Sequence, residues 1–281
     1  MSNGKPFLRW AGSKKQLIPK LFPFWGEGFT RYIEPFMGSA ALFFSIKPSV
    51  AILSDINSTL VETFCAVRDH PRAVHNRLLR LPLGKDAYYQ IRQENDSQMS
   101  PLDRAARFLY LNRFCFNGLY RTNMKGKFNV PYAASKTGKL PTQDDLYKAA
   151  KVLSCAQIKA RDFETTLDDV QAGDFIYMDP PYAVKNRRIF RQYGPDSFGT
   201  EDLARLASAL SKINQCGATF LVSYAMCSEA LEAFRGWHIR RILTQRSVAG
   251  FSRHRHKAVE ILVSNREMPE RNCSIITSEA R

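Results

Sequence analysis

Runs of strand length that close on an acidic or glycine-bearing turn alternate with stretches of helical period, and this alternation restricts the fold more than any other feature of the chain. Arg31 to Pro35 reads as a short strand closing on the turn at Gly38, and Ser39 to Ile46 as a helix. Val50 to Ser54 reads as a second strand ending at Asp55, and Asn57 suits the N-cap of a helix that runs to about Asp69 and stops at Pro71. A weaker strand covers Gln157 to Ala160, and Asp174 to Met178 forms a strand that delivers Asp179. Leu203, Leu206, Ala207, Leu210 and Ile213 recur at helical spacing before a stop at Gly217, and Ala218 to Ser223 follows as a buried strand. Trp237 to Thr244 and Ala258 to Val263 read as a closing strand pair joined by a long basic loop. Such alternation packs as an α/β fold with a mainly parallel sheet.

Between about Pro71 and Ala156 the strand signals vanish. Ser100 and Pro101 open a helix that carries Arg104, Arg107, Phe108, Leu111 and Phe114. The run from Asn112 to Arg121 is rich in aromatics and arginine, and Met124 to Val130 has the glycine and lysine content of a hairpin. The expected organisation is a core from 1–70 and 156–265, an inserted and largely helical module from 71–155, and a polar tail from 266–281. A length of 281 residues accommodates a core domain with such an insertion.

Lys and Arg number 41 against 26 Asp and Glu, a net charge of +15 that points to a polyanionic partner. The excess is grouped. Lys185, Arg187, Arg188 and Arg191 follow the Asp179 turn; Arg240, Arg241, Arg246, Arg253, Arg255 and Lys257 lie near the C-terminal end. Arg121, Lys125, Lys127, Lys136 and Lys139 interleave with Tyr120, Phe128 and Tyr132. Separate basic segments suit a protein that touches phosphates from several loops. The longest apolar runs are strand-sized, too short for a bilayer, and Lys5, Arg9, Lys14 and Lys15 break any signal-peptide pattern. A soluble, intracellular protein is expected. The six cysteines show no paired spacing and read as free thiols, and the five histidines lack a ligand spacing and read as surface residues, so no metal is expected.

Asp179-Pro180-Pro181-Tyr182 stands at the C-terminal end of a strand, the edge where open α/β sheets bind ligands. The prolines fix φ and remove backbone donors. What remains is a carboxylate, carbonyls and an aromatic face in one rigid loop. Asp179 and the Pro180 carbonyl can accept the two N–H bonds of an exocyclic amine while Tyr182 stacks on its ring. A stiff strand-to-helix connection is the alternative reading of this loop. Upstream, Glu34-Pro35-Phe36-Met37-Gly38-Ser39 follows a strand and opens a helix, and Asp55 ends the next strand, where a carboxylate can bond ribose hydroxyls. An ordinary βα turn reads the same way.

Taken in order, Phe7-Leu8-Arg9-Trp10-Ala11-Gly12-Ser13-Lys14, EPFMG, SDIN (Ser54 to Asn57), NRFCFNGLYR and DPPY form a series that strongly resembles the Dam family of adenine-N6 DNA methyltransferases, from about Lys5 to Asn265. The resemblance implies a Rossmann-like class I methyltransferase core with an inserted, mainly helical DNA-recognition domain. It implies S-adenosyl-L-methionine as cofactor, double-stranded DNA as substrate, and adenine N6 as acceptor. Trp10, Lys14, Glu34, Phe36, Gly38, Asp55, Asp162 and Asp179 would line the cofactor pocket, and Asp179, Pro180, Pro181 and Tyr182 would form the catalytic loop. Arg9, Arg113, Phe116, Asn117, Leu119, Arg121 and Pro131 fall where the family reads DNA. The family's usual target is GATC, and the matches at Leu119, Arg121 and Pro131 carry that expectation here. Phe116 reads either as a wedge beside an extruded adenine or as core packing against Phe108 and Phe114. Arg121 reads either as a bidentate contact to a guanine edge or as a phosphate contact.

The sequence departs from the family pattern at Ala40 and Ser13, where glycine is common, and an altered cofactor affinity is the expected consequence. A cytoplasmic location, in a bacterial or phage-infected cell, also belongs to this picture; partnership with a cognate restriction nuclease, solitary action and a place in a mobile element stand as alternatives. Two competing classes share parts of it: an RNA or protein-amide methyltransferase with a related proline loop, and a non-catalytic DNA-binding regulator of the same fold. The N-terminal FLRWAGSK segment and the large insertion argue against the first, and the intact DPPY loop against the second.

Overall fold

The computed structural model of the chain describes residues 4–26, 28–134, 138–182, 198–247, 255–267 and 269, with backbone alone at 245–247 and 255–258. Its strands are β1 (Tyr32–Glu34), β2 (Ala51–Asp55), β3 (Ala156–Ala160), β4 (Phe175–Met178), β5 (Thr219–Ala225), β6 (His238–Ser247) and β7 (Arg255–Ser264). Its helices are α1 (Ile18–Leu21), α2 (Ala41–Ile46), α3 (Ser58–Asp69), α4 (Pro71–Arg80), α5 (Lys85–Gln93), α6 (Pro101–Phe114), α7 (Gln143–Leu153), α8 (Phe163–Leu167), α9 (Thr200–Gln215) and α10 (Ser228–Ala233).

One seven-stranded sheet runs in the order β3-β2-β1-β4-β5-β7-β6. The strands from β3 to β5 are parallel; β7 inserts antiparallel beside β5, and β6 pairs antiparallel with β7 at the edge. The central strands are apolar on both faces because both faces are covered. Tyr32, Phe175 and Tyr177 point into one hydrophobic cluster, while Ile33, Ile176 and Met178, their neighbours in sequence, point into the other. The second cluster is closed by α8, α9 and α10. The first is closed by α2 and α3 and continues without a break into α4, α5, α6 and α7, through Val74, Leu78, Tyr88, Leu109 and Leu146. The helical insertion therefore shares one core with the sheet face.

The caps follow the sequence. Asn57 Oδ1 accepts from Leu60 N at 3.1 Å to start α3. Pro71 ends α3 as expected, but it also opens α4 from the N1 position, where its missing N–H costs nothing. Ser100 caps α6 ahead of Pro101, and Thr142 with Asp145 forms a capping box on α7. The expected hairpin near 124–130 is present, with Thr122 bridged to Phe128 and Asn123 N donating to Lys127 O.

The closing strand pair differs from expectation. The ladder of β6 and β7 continues out to Ser247 opposite Arg255, so Arg246, Arg255 and Lys257 stand on strands where the sequence suggested a loop. Apolar patterning marks only the core-facing half of such a ladder, whereas backbone pairing continues beyond it. Residues 248–254, with Arg253 and His254, and the basic cluster from Lys185 to Arg191 lie outside the described residues, as do Lys136 and residues 270–281. Of the histidines, His70 and His238 are exposed as expected, but His75 is buried within α4. Among the described residues no helix is long and apolar enough to cross a membrane.

Candidate active site

The parallel strands deliver acids at one edge of the sheet. Glu34 ends β1, Asp55 ends β2, Asp162 follows β3 and Asp179 follows β4. Met178 completes the ladder with Val222, and Pro180 and Pro181 then offer no donor to continue it. Asp179 is left at the sheet edge in a fixed loop.

Lys14 reaches this loop from the N-terminal segment. Gly12, at φ +81°, takes a left-handed turn closed by Ser13 N donating to Trp10 O, which directs Lys14 inward. Its Nζ lies 2.9 Å from Asp179 Oδ1 and 3.8 Å from Glu260 Oε2, and it donates to the Tyr182 hydroxyl at 2.7 Å. Tyr182 packs edge-on against Tyr224 with ring centroids 5.1 Å apart. Ser223 Oγ donates to Asp179 Oδ1 at 3.0 Å and stands 2.9 Å from the Tyr177 hydroxyl. Burial lowers the Lys14 ammonium, yet Asp179, Tyr182 and Glu260 more than offset this and hold it above its ordinary value. Burial keeps the Asp179 carboxyl above the usual range, partly countered by Lys14 and by the Ser223 hydrogen bond. Burial also raises the Tyr182 phenol.

The expected cofactor residues gather beside this centre. Gly38 N donates to Asp55 Oδ2 at 3.1 Å, and Asn57 N to Asp55 Oδ1 at 3.0 Å. The indole of Trp10 lies against Gly38, where a Cβ would stand 2.8 Å from Nε1. Ser39 Oγ donates to Ser13 Oγ at 3.2 Å, so serine at position 13 ties the two turns together. Ala40 adopts φ +51° and ψ +39°, a left-handed conformation that explains why glycine suits this position. Glu34 is enclosed, with the Tyr32 hydroxyl donating to it at 2.9 Å, and burial pushes its carboxyl well above the usual range. Burial raises Asp55 as well. Phe36 stacks on Phe163 at 5.3 Å, next to Asp162, whose Oδ1 accepts from Glu164 N and from Arg205 Nη2 at 2.7 Å.

The expected DNA-reading residues form a loop folded back on the end of α6. Cys115 bridges to Tyr132, and Phe116 N donates to Pro131 O at 2.9 Å. Asn117, at φ +55°, and Gly118, at φ +63°, turn the chain between them, and a Cβ at Gly118 would stand 2.6 Å from Arg9 Cβ. Arg9 is further clamped by Asn112, which accepts from Arg9 N at 2.9 Å and donates to Arg9 O at 2.6 Å. Arg9, Arg113, Phe116, Asn117, Leu119 and Arg121 are half-buried, whereas Pro131 and the hairpin tip from Asn123 to Lys127 are exposed. Burial, and then Arg9, lower the Arg113 guanidinium, which packs beside Gly138 and donates to Phe7 O. Arg121 Nε donates to Asn129 Oδ1 at 2.6 Å. Phe116 packs on the first hydrophobic cluster but pairs with neither Phe108, which faces Trp10 and Tyr120, nor Phe114, which faces Tyr110. A cavity of about 210 Å³ is lined by Arg92, Arg107, Tyr120, Lys125 and Phe128, and neither Lys14 nor Asp179 lines it.

The sequence reading missed Asn112, Tyr177, Ser223 and Glu260. Glu260 had a signal, as the one acid in the apolar strand Val259 to Val263. Ser223 and Tyr177 become meaningful only once β4 and β5 are placed in register.

A parallel sheet with β7 turned antiparallel beside β5, and a Pro-Pro loop with its acid at the C-terminal edge, define a Rossmann-like methyltransferase. A family model described as the D12 class N6 adenine-specific DNA methyltransferases matches residues 10–248, and the chain belongs to that family. It is an adenine-specific DNA methyltransferase. It is 33% identical over 272 residues to the Type II methyltransferase M1.LlaDCHI of Lactococcus lactis subsp. cremoris, covering 94% of this chain and 96% of that protein. It is 33% identical over 267 residues to the DNA adenine methylase of Haemophilus influenzae, covering 92% of each. The DNA adenine methylase of Escherichia coli K12 is 29% identical over 267 residues, covering 93% of this chain and 95% of that one.

Proposed function

We propose that the enzyme uses S-adenosyl-L-methionine to methylate an adenine extruded from duplex DNA within GATC. The observation that carries this reading is Asp179, presented at the C-terminal edge of the sheet and tied to Lys14 at 2.9 Å. The cradle beside it fits the cofactor. A Cβ at Gly38 would stand 2.8 Å from Trp10 Nε1, so glycine there lets the indole lie against the turn, and Asp55 ends the adjoining strand as a ribose-bonding acid would. Trp10, Gly38, Asp55, Phe36 and Asp162 would hold the cofactor, which supplies an electrophilic methyl group when bound.

The chain's own residues have three tasks. The adenine amino group lies inside the duplex, so the base must be drawn into the pocket. Tyr182 replaces lost stacking, worth about 1–3 kcal/mol per base. Asp179 and the Pro180 carbonyl accept the amino N–H bonds, which raises electron density on a nitrogen otherwise conjugated with the ring. Holding the amine in line contributes much of the rate. Arg9 and the segment from Arg113 to Pro131, clamped together through Asn112 and Gly118, are proposed to read the target, and residues 71–155 to form the recognition unit. The likeness to a protein named as a Type II methyltransferase supports a role beside a cognate restriction nuclease, and the DNA substrate is the ground for a cytoplasmic location.

The test is transfer of labelled methyl groups from S-adenosyl-L-methionine to unmodified duplex DNA, with sequencing that reports modified adenines. Methylated adenine at GATC is expected, and Asp179→Ala is expected to abolish transfer while the fold survives. Transfer to RNA in place of duplex DNA, or wild-type turnover by Asp179→Ala, would overturn the reading.

A further inference from the structure

Asp179 Oδ1 is held from two directions. Lys14 Nζ lies 2.9 Å away, and Ser223 Oγ, on β5, donates to it at 3.0 Å. A serine hydroxyl has one hydrogen, and here it goes to Asp179. The 2.9 Å contact between Ser223 and Tyr177 therefore runs from the phenol to the serine oxygen. Tyr177 lies two residues before Asp179 and pairs with Leu221, two residues before Ser223, so the chain of donors crosses between adjacent strands in register. Ser223 is fully buried and Tyr177 nearly so. Asp179 Oδ2 takes no hydrogen bond among the described residues.

A carboxylate alone rotates broadly about χ2. Two donors on one oxygen stop that rotation and leave the other oxygen facing outward. Of the two, Ser223 is the stiffer anchor, because a short side chain on an interior strand has fewer conformations than a lysine. We infer that Ser223, oriented by Tyr177, is a positioning residue that divides the work of the Asp179 carboxylate: Oδ1 is the anchored oxygen, and Oδ2 is the one that accepts the adenine N–H. This rests on the proposed role of Asp179. The charged and titratable groups around that carboxylate are Lys14 from the N-terminal turn, Tyr182 from its own loop, Glu260 from β7, Glu34 from β1 and Tyr177 from β4. All but Tyr177 are unchanged in the variants below, so a difference between Ser223→Ala and wild type reports the serine.

The experiment compares wild type, Asp179→Ala, Ser223→Ala and the double variant Ser223→Ala with Tyr177→Phe. Methyl transfer to duplex DNA is followed across pH, with thermal midpoints and duplex affinity measured on the same proteins. Ser223→Ala is expected to lower kcat about 10- to 100-fold, by analogy with the loss of groups that orient metal-bound side chains, with KM for DNA unchanged. Its acidic limb should move to higher pH, since the lost hydrogen bond is one that lowers the Asp179 pKa. The double variant leaves no orphaned buried hydroxyl, so it should regain thermal stability while kcat stays low. An inactive Asp179→Ala beside a Ser223→Ala with wild-type kcat and an unmoved acidic limb would overturn the inference alone. So would a double variant that regains rate together with stability. Full turnover by Asp179→Ala would overturn both the role of Asp179 and the inference built on it.

Discussion

A buried lysine keeps its charge only when acids stand close enough to replace water, and Lys14 has Asp179 and Glu260 within 4 Å together with the Tyr182 hydroxyl. Removing the cation leaves two buried acids facing each other, so Lys14→Met should cost about 3–5 kcal/mol, read as a lower urea midpoint. Activity should fall further than stability, because Asp179 and Tyr182 lose a shared anchor. Ala40 makes the opposite case. It holds a left-handed conformation at φ +51° that an L side chain adopts at a cost. Ala40→Gly should therefore stabilise the protein by ~0.5–1 kcal/mol, measured as a rise in thermal midpoint. The sequence marked Lys14, Asp179, Tyr182 and the departure at Ala40 because each stands in a dense local motif. It did not mark Ser223, since one serine in an apolar strand is chemically mute until the neighbouring strand is placed beside it.

Along the elements, the strands of the sheet and the helices α2, α3 and α9 were legible because both period and punctuation agreed: Asn57 caps α3, Pro71 separates α3 from α4, and Met178 runs straight into Asp179; the short α8 and α10 gave no such pattern. The outer half of the ladder between β6 and β7 was not legible, because pairing there has no apolar pattern to announce it. The unbroken core between the sheet and α4 to α7 was also invisible, since strand signals end at Pro71 while burial does not. At the end of β1, Glu34 gives a stability test. Its folded-state carboxyl lies well above the usual range because of burial, so the folded protein binds a proton that the unfolded chain has released. Glu34 therefore costs stability as pH rises from its ordinary value near 4.3 toward its folded value. Gln cannot ionise and still accepts from Tyr32. The midpoint of Glu34→Gln relative to wild type should climb as pH rises above the ordinary carboxylate range, and a constant difference would count against the assignment.

Across the whole molecule, a net charge of +15 sets how the enzyme meets a polyanion before any base is read. The basic groups of the hairpin and of the segment beside Arg9 fall into two kinds. Lys125 and Lys127 stand exposed on the hairpin tip, whereas Arg9, Arg113 and Arg121 are half-buried and hydrogen-bonded to their own chain. An exposed lysine suits a phosphate contact; a guanidinium preset by Asn129 loses less freedom on reaching a base edge. The logarithm of duplex affinity should fall linearly with that of salt concentration. Lys125→Ala should reduce the slope by about one and weaken all sequences alike. Arg121→Ala should barely change the slope but relax the preference at one base pair, by about 1–3 kcal/mol. Binding isotherms on the GATC duplex and on duplexes altered at each position, repeated over a range of salt, separate the two effects. A uniform loss for Arg121→Ala would move that arginine to the phosphates and leave sequence reading to Arg9, Leu119 and Pro131.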